Sequence, residues 1–151
     1  MGYNFGVGRE APTFTLTAHD GDQVTLKQYR GDWFAALVFV ADGAALAGRV
    51  AEVGAAAGQL WGYRCQLVGI AHQDAAALSA ALADPAPAFP VLADTDGAVA
   101  RAYGAWDGAV GAARDYVALV DRSGKIVWTG DGGAAPVKPA EIVAALQSIA
   151  R

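Results

Sequence analysis

The sequence predicts an α/β domain with a central mixed sheet, helices on both faces and a β-hairpin at the N-terminal end. Three observations carry this. Phe34 to Val40 is an unbroken apolar run and Gln66 to Ala71 a second, the pattern of strands buried on both faces. Stretches with apolar residues at helical spacing lie between and after these runs, so strands alternate with helices and parallel pairing follows. Near the end, Asp115–Val120 and Lys125–Thr129 flank the turn Asp121-Arg122-Ser123-Gly124, a hairpin that adds an antiparallel edge.

Thr13 to Leu16 alternates as a short strand does, and Gln23 to Leu26 returns from the Asp-Gly turn of residues 19–22. One helical turn over Leu26 to Tyr29 is expected to stop at Gly31. After the Phe34–Val40 strand, Leu46, Val50, Val53, Ala57 and Leu60 recur at helical spacing and predict one long helix, which Gly54 and Gly58 weaken. Asp74 is the expected N-cap of a helix that carries Leu78 and Leu82 on one face and ends at Asp84-Pro85. Phe89 to Ala93 reads as a short strand, residues 94–97 as a turn, and Val99 to Tyr103 as a helix closed by Gly104. Trp106 to Ala113 reads as a Gly/Ala-rich loop and Asp131 to Pro136 as a flexible one. Pro139 suits the first position of a last helix that buries Ile142, Val143, Leu146 and Ile149. The layout is of thioredoxin type, with the segment from Asp74 to Ala93 inserted in it.

Composition narrows the function classes. The 151 residues are expected to form one domain, with 54% hydrophobic and 17% charged residues and a net charge of −4. No basic run appears, so nucleic acid is not an expected partner. No apolar stretch approaches the roughly 18 residues of a membrane span. Met1 to Glu10 lacks a basic segment followed by an apolar core, so no secretory leader is expected and cytoplasmic residence is. One cysteine allows no internal disulfide and no C-x-x-C pair, and two histidines with it provide no metal-ligand spacing. No metal and no cofactor is therefore expected.

Several segments together resemble the peroxiredoxins, the alkyl hydroperoxide reductase/thiol-specific antioxidant family. Val7-Gly8-Arg9-Glu10-Ala11-Pro12-Thr13-Phe14-Thr15-Leu16 is similar to the family opening V-G-x-x-A-P-x-F-x-L. Asp20-Gly21, Val24-Thr25-Leu26 and Tyr29-Arg30-Gly31 continue it. Phe89-Pro90-Val91-Leu92-Ala93-Asp94 and the run from Asp96 to Gly104 resemble the middle block, and Val120 to Ile126 resembles the V-D-x-x-G-K-I hairpin. The matches follow one another in the family's order over most of residues 7–130. The resemblance implies a thioredoxin-like fold, an antioxidant thiol peroxidase as the ancestral activity, and pairing into homodimers.

It also implies a site, and there the sequence departs from the family. The pattern P-x-x-x-T-x-x-C, just after a central strand, falls on Ala41, Ala45 and Gly48. Counting back from Leu67-Val68-Gly69 instead places the cysteine position near Leu46. Neither register holds the thiol that a helix N-terminus would activate. Arg114, just before the Asp115–Val120 strand, matches the family's active-site arginine. The reading that follows is a peroxiredoxin-like protein without thiol peroxidase activity, a binding or interaction module for a protein partner or a small anionic ligand. The alternative is an enzyme, using either Cys65 or another reaction around His72 and Arg114. Cys65 reads either as a small hydrophobe at a strand start or as a substitute redox thiol. His72, after the Gln66–Ala71 strand, reads either as a base in a polar pocket with Asp42, Asp74 and Arg114 or as help for the cap near Asp74. Trp106 reads as packing, as a cover for the old pocket, or as a dimer contact. Arg114 needs a new partner for its charge, with Asp42 expected and Asp74 or a bound anion as alternatives. His19 is expected in solvent, in its turn.

Overall fold

The computed structural model describes residues 7–41, 46–83, 86–109, 111–131 and 137–149. A hairpin of β1 (Thr15–Thr17) and β2 (Gln23–Thr25) leads into a single 3-10 turn at Leu26–Tyr29. The central sheet has five strands: β3 (Phe34–Val40), β4 (Cys65–Ala71), β5 (Val91–Ala93), β8 (Tyr116–Val120) and β9 (Ile126–Asp131). Their order is β5-β4-β3-β8-β9. β3, β4 and β5 run parallel, β8 pairs antiparallel with β3, and β9 with β8. The mixed sheet and its closing hairpin thus match the element pattern of the sequence.

Alternation along β3 divides the core in two. Phe34, Ala36, Val38 and Val40 face one side, where Leu46, Val50, Val53, Leu60, Leu78, Ile142 and Leu146 cover them. Ala35, Leu37 and Phe39 face the other, under the N-terminal hairpin, Ala100 and Tyr103. The first layer comes from helices α1 (Leu46–Gly54), α2 (Ala57–Gly62), α3 (Ala75–Ala81) and α5 (Pro139–Ile149). The second carries α4 (Ala98–Tyr103). Ile149, expected in the core, is only partly buried against it. No helix among the described residues is long and apolar enough to cross a membrane.

Two expectations need correction. The long helix over residues 46–60 is two helices, α1 and α2, broken after Gly54. A Cβ at Gly54 would lie 3.2 Å from the Phe89 ring, so close approach to residues 86–89 favours glycine at the place where helix propensity is lowest. The Gly/Ala-rich stretch after Gly104 is a small ribbon, β6 (Trp106–Asp107) paired with β7 (Ala112–Ala113). Pro85 and residues 132–136 lie outside the described residues; Asp131, read as the start of a loop, is the last residue of β9.

Candidate functional site

In a parallel sheet, ligands gather at the carboxyl ends of the strands, where loops and helix N-termini converge. Here that end holds Ala41 after β3, His72 after β4, the start of α1, and Arg114 just ahead of β8, whose Tyr116 pairs with Phe39. Gly48 is exposed in the first turn of α1, the setting in which the family places its thiol, whereas Leu46, the other register, is buried at 8% exposure in the core. Asp42 and Ala45 lie outside the described residues.

Arg114 lies at this end of the sheet, where three groups surround its charge. The guanidinium forms a salt bridge and hydrogen bond with the Asp131 carboxylate, and Nη2 donates to the Gly104 carbonyl at 2.8 Å. Its charge also sits 5.5 Å from the Tyr116 ring centroid. Asp131 is the neighbour because Tyr116 and Asp131 are register partners across the β8–β9 ladder. Among the described residues the partner of Arg114 is thus a strand residue, Asp131, and not Asp74; Asp42, the partner expected first, lies outside them. Asp74 is engaged elsewhere: its side chain accepts from Ala77 N at 2.7 Å and caps α3 as expected.

His72 and Trp106 do meet. Their rings stand edge to face with centroids 5.0 Å apart. The Arg101 guanidinium covers Trp106 at 4.2 Å, and a Cβ at Gly97 would come within 2.7 Å of the same ring. Trp106 is therefore a packed residue, half-buried between an arginine, a histidine and a glycine turn. Of the polar groups expected around His72, Asp42 lies outside the described residues and Asp74 is engaged in the α3 cap.

Sequence reasoning missed a buried charge at this end. Arg49, on α1, has a side chain 4% exposed; its Nη1 donates to Glu52 Oε1 at 2.9 Å, and its Nε lies 3.3 Å from Asp115 Oδ1. The Nε–Oδ1 approach is close enough to pair the charges but lacks hydrogen-bond alignment, and Nη2 has no hydrogen-bond partner. The available signal was an arginine one position after Gly48 and an aspartate immediately after Arg114. Nothing in their sequence spacing says that they meet.

The cysteine and the other histidine sit away from this cluster. Cys65 opens β4 opposite Phe34, at the amino end of the strands, and is 1% exposed. Burial pushes its thiol up to about 12, against a small lowering by the Ala36 backbone hydrogen bond. His19 corrects the expectation of a solvated turn residue: it is 9% exposed. Its Nδ1 accepts from Val91 N at 3.2 Å and its own backbone N–H donates to Val91 O at 2.8 Å. The N-terminal hairpin folds onto β5, which buries Ala18 and His19 while Asp20 to Asp22 stay exposed.

The fold and the placement of Arg114 define a thioredoxin-like protein of peroxiredoxin type. The AhpC/TSA family model matches residues 7–129, and the chain belongs to that family. It is similar to alkyl hydroperoxide reductase E of Mycobacterium tuberculosis, with 34% identity over 132 residues covering 80% of this chain and 81% of the relative. The Mycobacterium bovis protein of the same name matches to the same extent. Among solved structures, the reduced 2-Cys peroxiredoxin of Plasmodium vivax superposes with a TM-score of 0.85 at 18% identity, over 95% of this chain and 81% of that one. Enterococcus faecalis AhpC gives 0.83 at 18% identity, over 95% and 91%.

Proposed function

We propose that this chain is a peroxiredoxin-family protein without thiol peroxidase activity, working as a non-catalytic binding or interaction module. The observation that carries this reading is the position of its one cysteine. Peroxide reduction needs an accessible thiolate that attacks the peroxide oxygen and becomes a sulfenic acid. Cys65 is 1% exposed and its thiol is raised to about 12. It is separated from Arg114 by the seven-residue length of β4, roughly 20 Å at strand rise. Where the family keeps its thiol, this chain has Gly48, and the cations beside it are paired with Asp115, Glu52 and Asp131. Asp131 and the Gly104 carbonyl also occupy Arg114, the group any reaction shared with His72 would need.

The test is consumption of hydrogen peroxide and an organic hydroperoxide with dithiothreitol or thioredoxin as reductant. Turnover no faster than that of free thiol is expected. Rapid turnover that disappears in Cys65→Ser overturns the reading. The module is further proposed to be a homodimer, on family resemblance: light scattering at micromolar concentration is expected to give twice the 15.4 kDa chain mass, and a monomer at all concentrations removes that part.

A further inference from the structure

At the amino ends of β3 and β4, opposite Arg114, lies a surface of a different kind. α2 ends at Gly62, Tyr63 follows as its C-cap, and Arg64 stands where the chain turns left-handed, with φ +57°. Glycine is the usual residue there, since a Cβ strains this conformation. Arg64 is the one non-glycine residue with positive φ among those described. Its backbone N–H donates to Trp61 O and its carbonyl accepts from Phe34 N, so the arginine is carried into a fixed place at the start of β3. Arg122, from the β8–β9 turn, lies over the Phe34 ring at 5.0 Å and lines the same cleft of about 200 Å³ with Arg64 and Asp32.

Neither Arg64 nor Arg122 forms an ion pair among the described residues. Asp32 is the one acid in the cleft lining, so two free guanidiniums outnumber it in a chain of net charge −4. Next to them Trp61 is 57% exposed and stacks on Trp33 with centroids 4.5 Å apart, and Tyr63 is 38% exposed. Exposed aromatics beside arginines are the composition of interaction hot spots. The cleft is smaller than the roughly 300–1,000 Å³ of enclosed small-molecule sites, and it has room for a single side-chain carboxylate.

We infer that this face docks an acidic segment of a partner protein. A carboxylate enters the cleft between Arg64 and Arg122, and an adjacent apolar or aromatic side chain packs on Trp61. The charge complementarity selects the partner, and the Trp33–Trp61 pair supplies the buried area. The inference stands apart from the peroxidase reading, because the two surfaces lie at opposite ends of the sheet.

The experiment is selection of a random dodecapeptide phage library on the full chain, with Trp61→Ala/Arg122→Glu as the counter-selected protein. Peptides rich in Asp or Glu with at least one aromatic are expected. Synthetic versions should bind the wild type with a change in tryptophan fluorescence. Arg64→Glu or Arg122→Glu should weaken binding roughly tenfold or more, as should about 0.5 M salt. Arg64→Gly relaxes the backbone, so it must lose binding while raising the melting temperature, which separates lost contacts from lost folding. No enrichment over the counter-selected protein, or enrichment of basic or neutral peptides, overturns the inference. So does inorganic phosphate displacing the peptides at low millimolar concentration, since the site is then a simple anion site. Loss of a wild-type dimer in Trp61→Ala also overturns it, since the occupant is then a second copy.

Discussion

At the carboxyl ends of β3 and β4, Arg49 is held by Glu52 and Asp115, and Arg114 by Asp131 and a carbonyl. At the amino ends of the same strands, Arg64 and Arg122 have no acidic ion-pair partner among the described residues, and two aromatics stand in solvent. Among the described residues, the two arginines at the fold's usual ligand end are thus paired from within, while the two at the other end are not. The length of a strand lies between the two ends, so the proposed loss of chemistry at one and the proposed recognition at the other can be tested separately.

That contrast can be broken at several points. The largest effect belongs to the buried thiol at the amino end. Cys65 ionises near 9.0 when unfolded and at about 12 when folded. The stability of the neutral thiol is therefore complete below pH 9 and is lost as pH rises from 9 to 12, the unfolded chain releasing its proton first. The three-unit difference corresponds to about 4 kcal/mol. Urea titrations across that range should show the decline, shared with Tyr29 and Tyr103, whose hydroxyls burial also pushes up, and Cys65→Ala should make it shallower. Equal slopes would mean that the thiol reaches solvent in the folded state. At the same pH values, slow labelling of native Cys65 by a thiol reagent checks the same point.

Next comes the buried pair at the carboxyl end. Asp115→Ala leaves the Arg49 guanidinium with Glu52 alone and should cost about 3 kcal/mol by chemical denaturation. Arg49→Met combined with Asp115→Val removes both charges and should recover most of that loss. If the double variant is as unstable as the single, the pair is doing more than satisfying its own charges. Gly97→Ala forces a side chain into a left-handed position at φ +73° and toward Trp106 at 2.7 Å, at a cost of about 2 kcal/mol. The matching signal is a shifted Trp106 fluorescence spectrum.

Smaller effects sharpen the difference between the ends. Arg64→Gly should stabilise by about 1 kcal/mol, because it removes left-handed strain. Arg114→Met should cost less than about 1 kcal/mol, since side chains 38% and 51% exposed make a partly screened pair. An Arg114 variant as damaging as Asp115→Ala would show that the two ion pairs form one cooperative network.

Much of the fold was legible because it is written in local periodicity. The Phe34–Val40 run allows a strand buried on both faces, and the structure puts its alternate residues in two separate cores. Asp74, Gly104 and Pro139 mark helix ends through backbone needs that are met within a few residues. The place of Arg114 just ahead of the Tyr116–Val120 strand was likewise readable from the chain. The absence of a cysteine at either register near Gly48 needed nothing but the sequence.

Which groups pair with one another belonged to the tertiary structure. Asp131 meets Arg114 through the β8–β9 register, and Arg49 meets Asp115 because α1 packs beside the start of β8. His19 is buried because the hairpin clasps β5 at Val91, and the break after Gly54 follows from the approach of Phe89. Periodicity and capping depend on neighbours a few residues away, so the chain alone determined them. Charge pairing, burial of His19 and exposure of Trp61 depend on segments far apart in sequence, whose distances are set only when the sheet and its two layers are assembled.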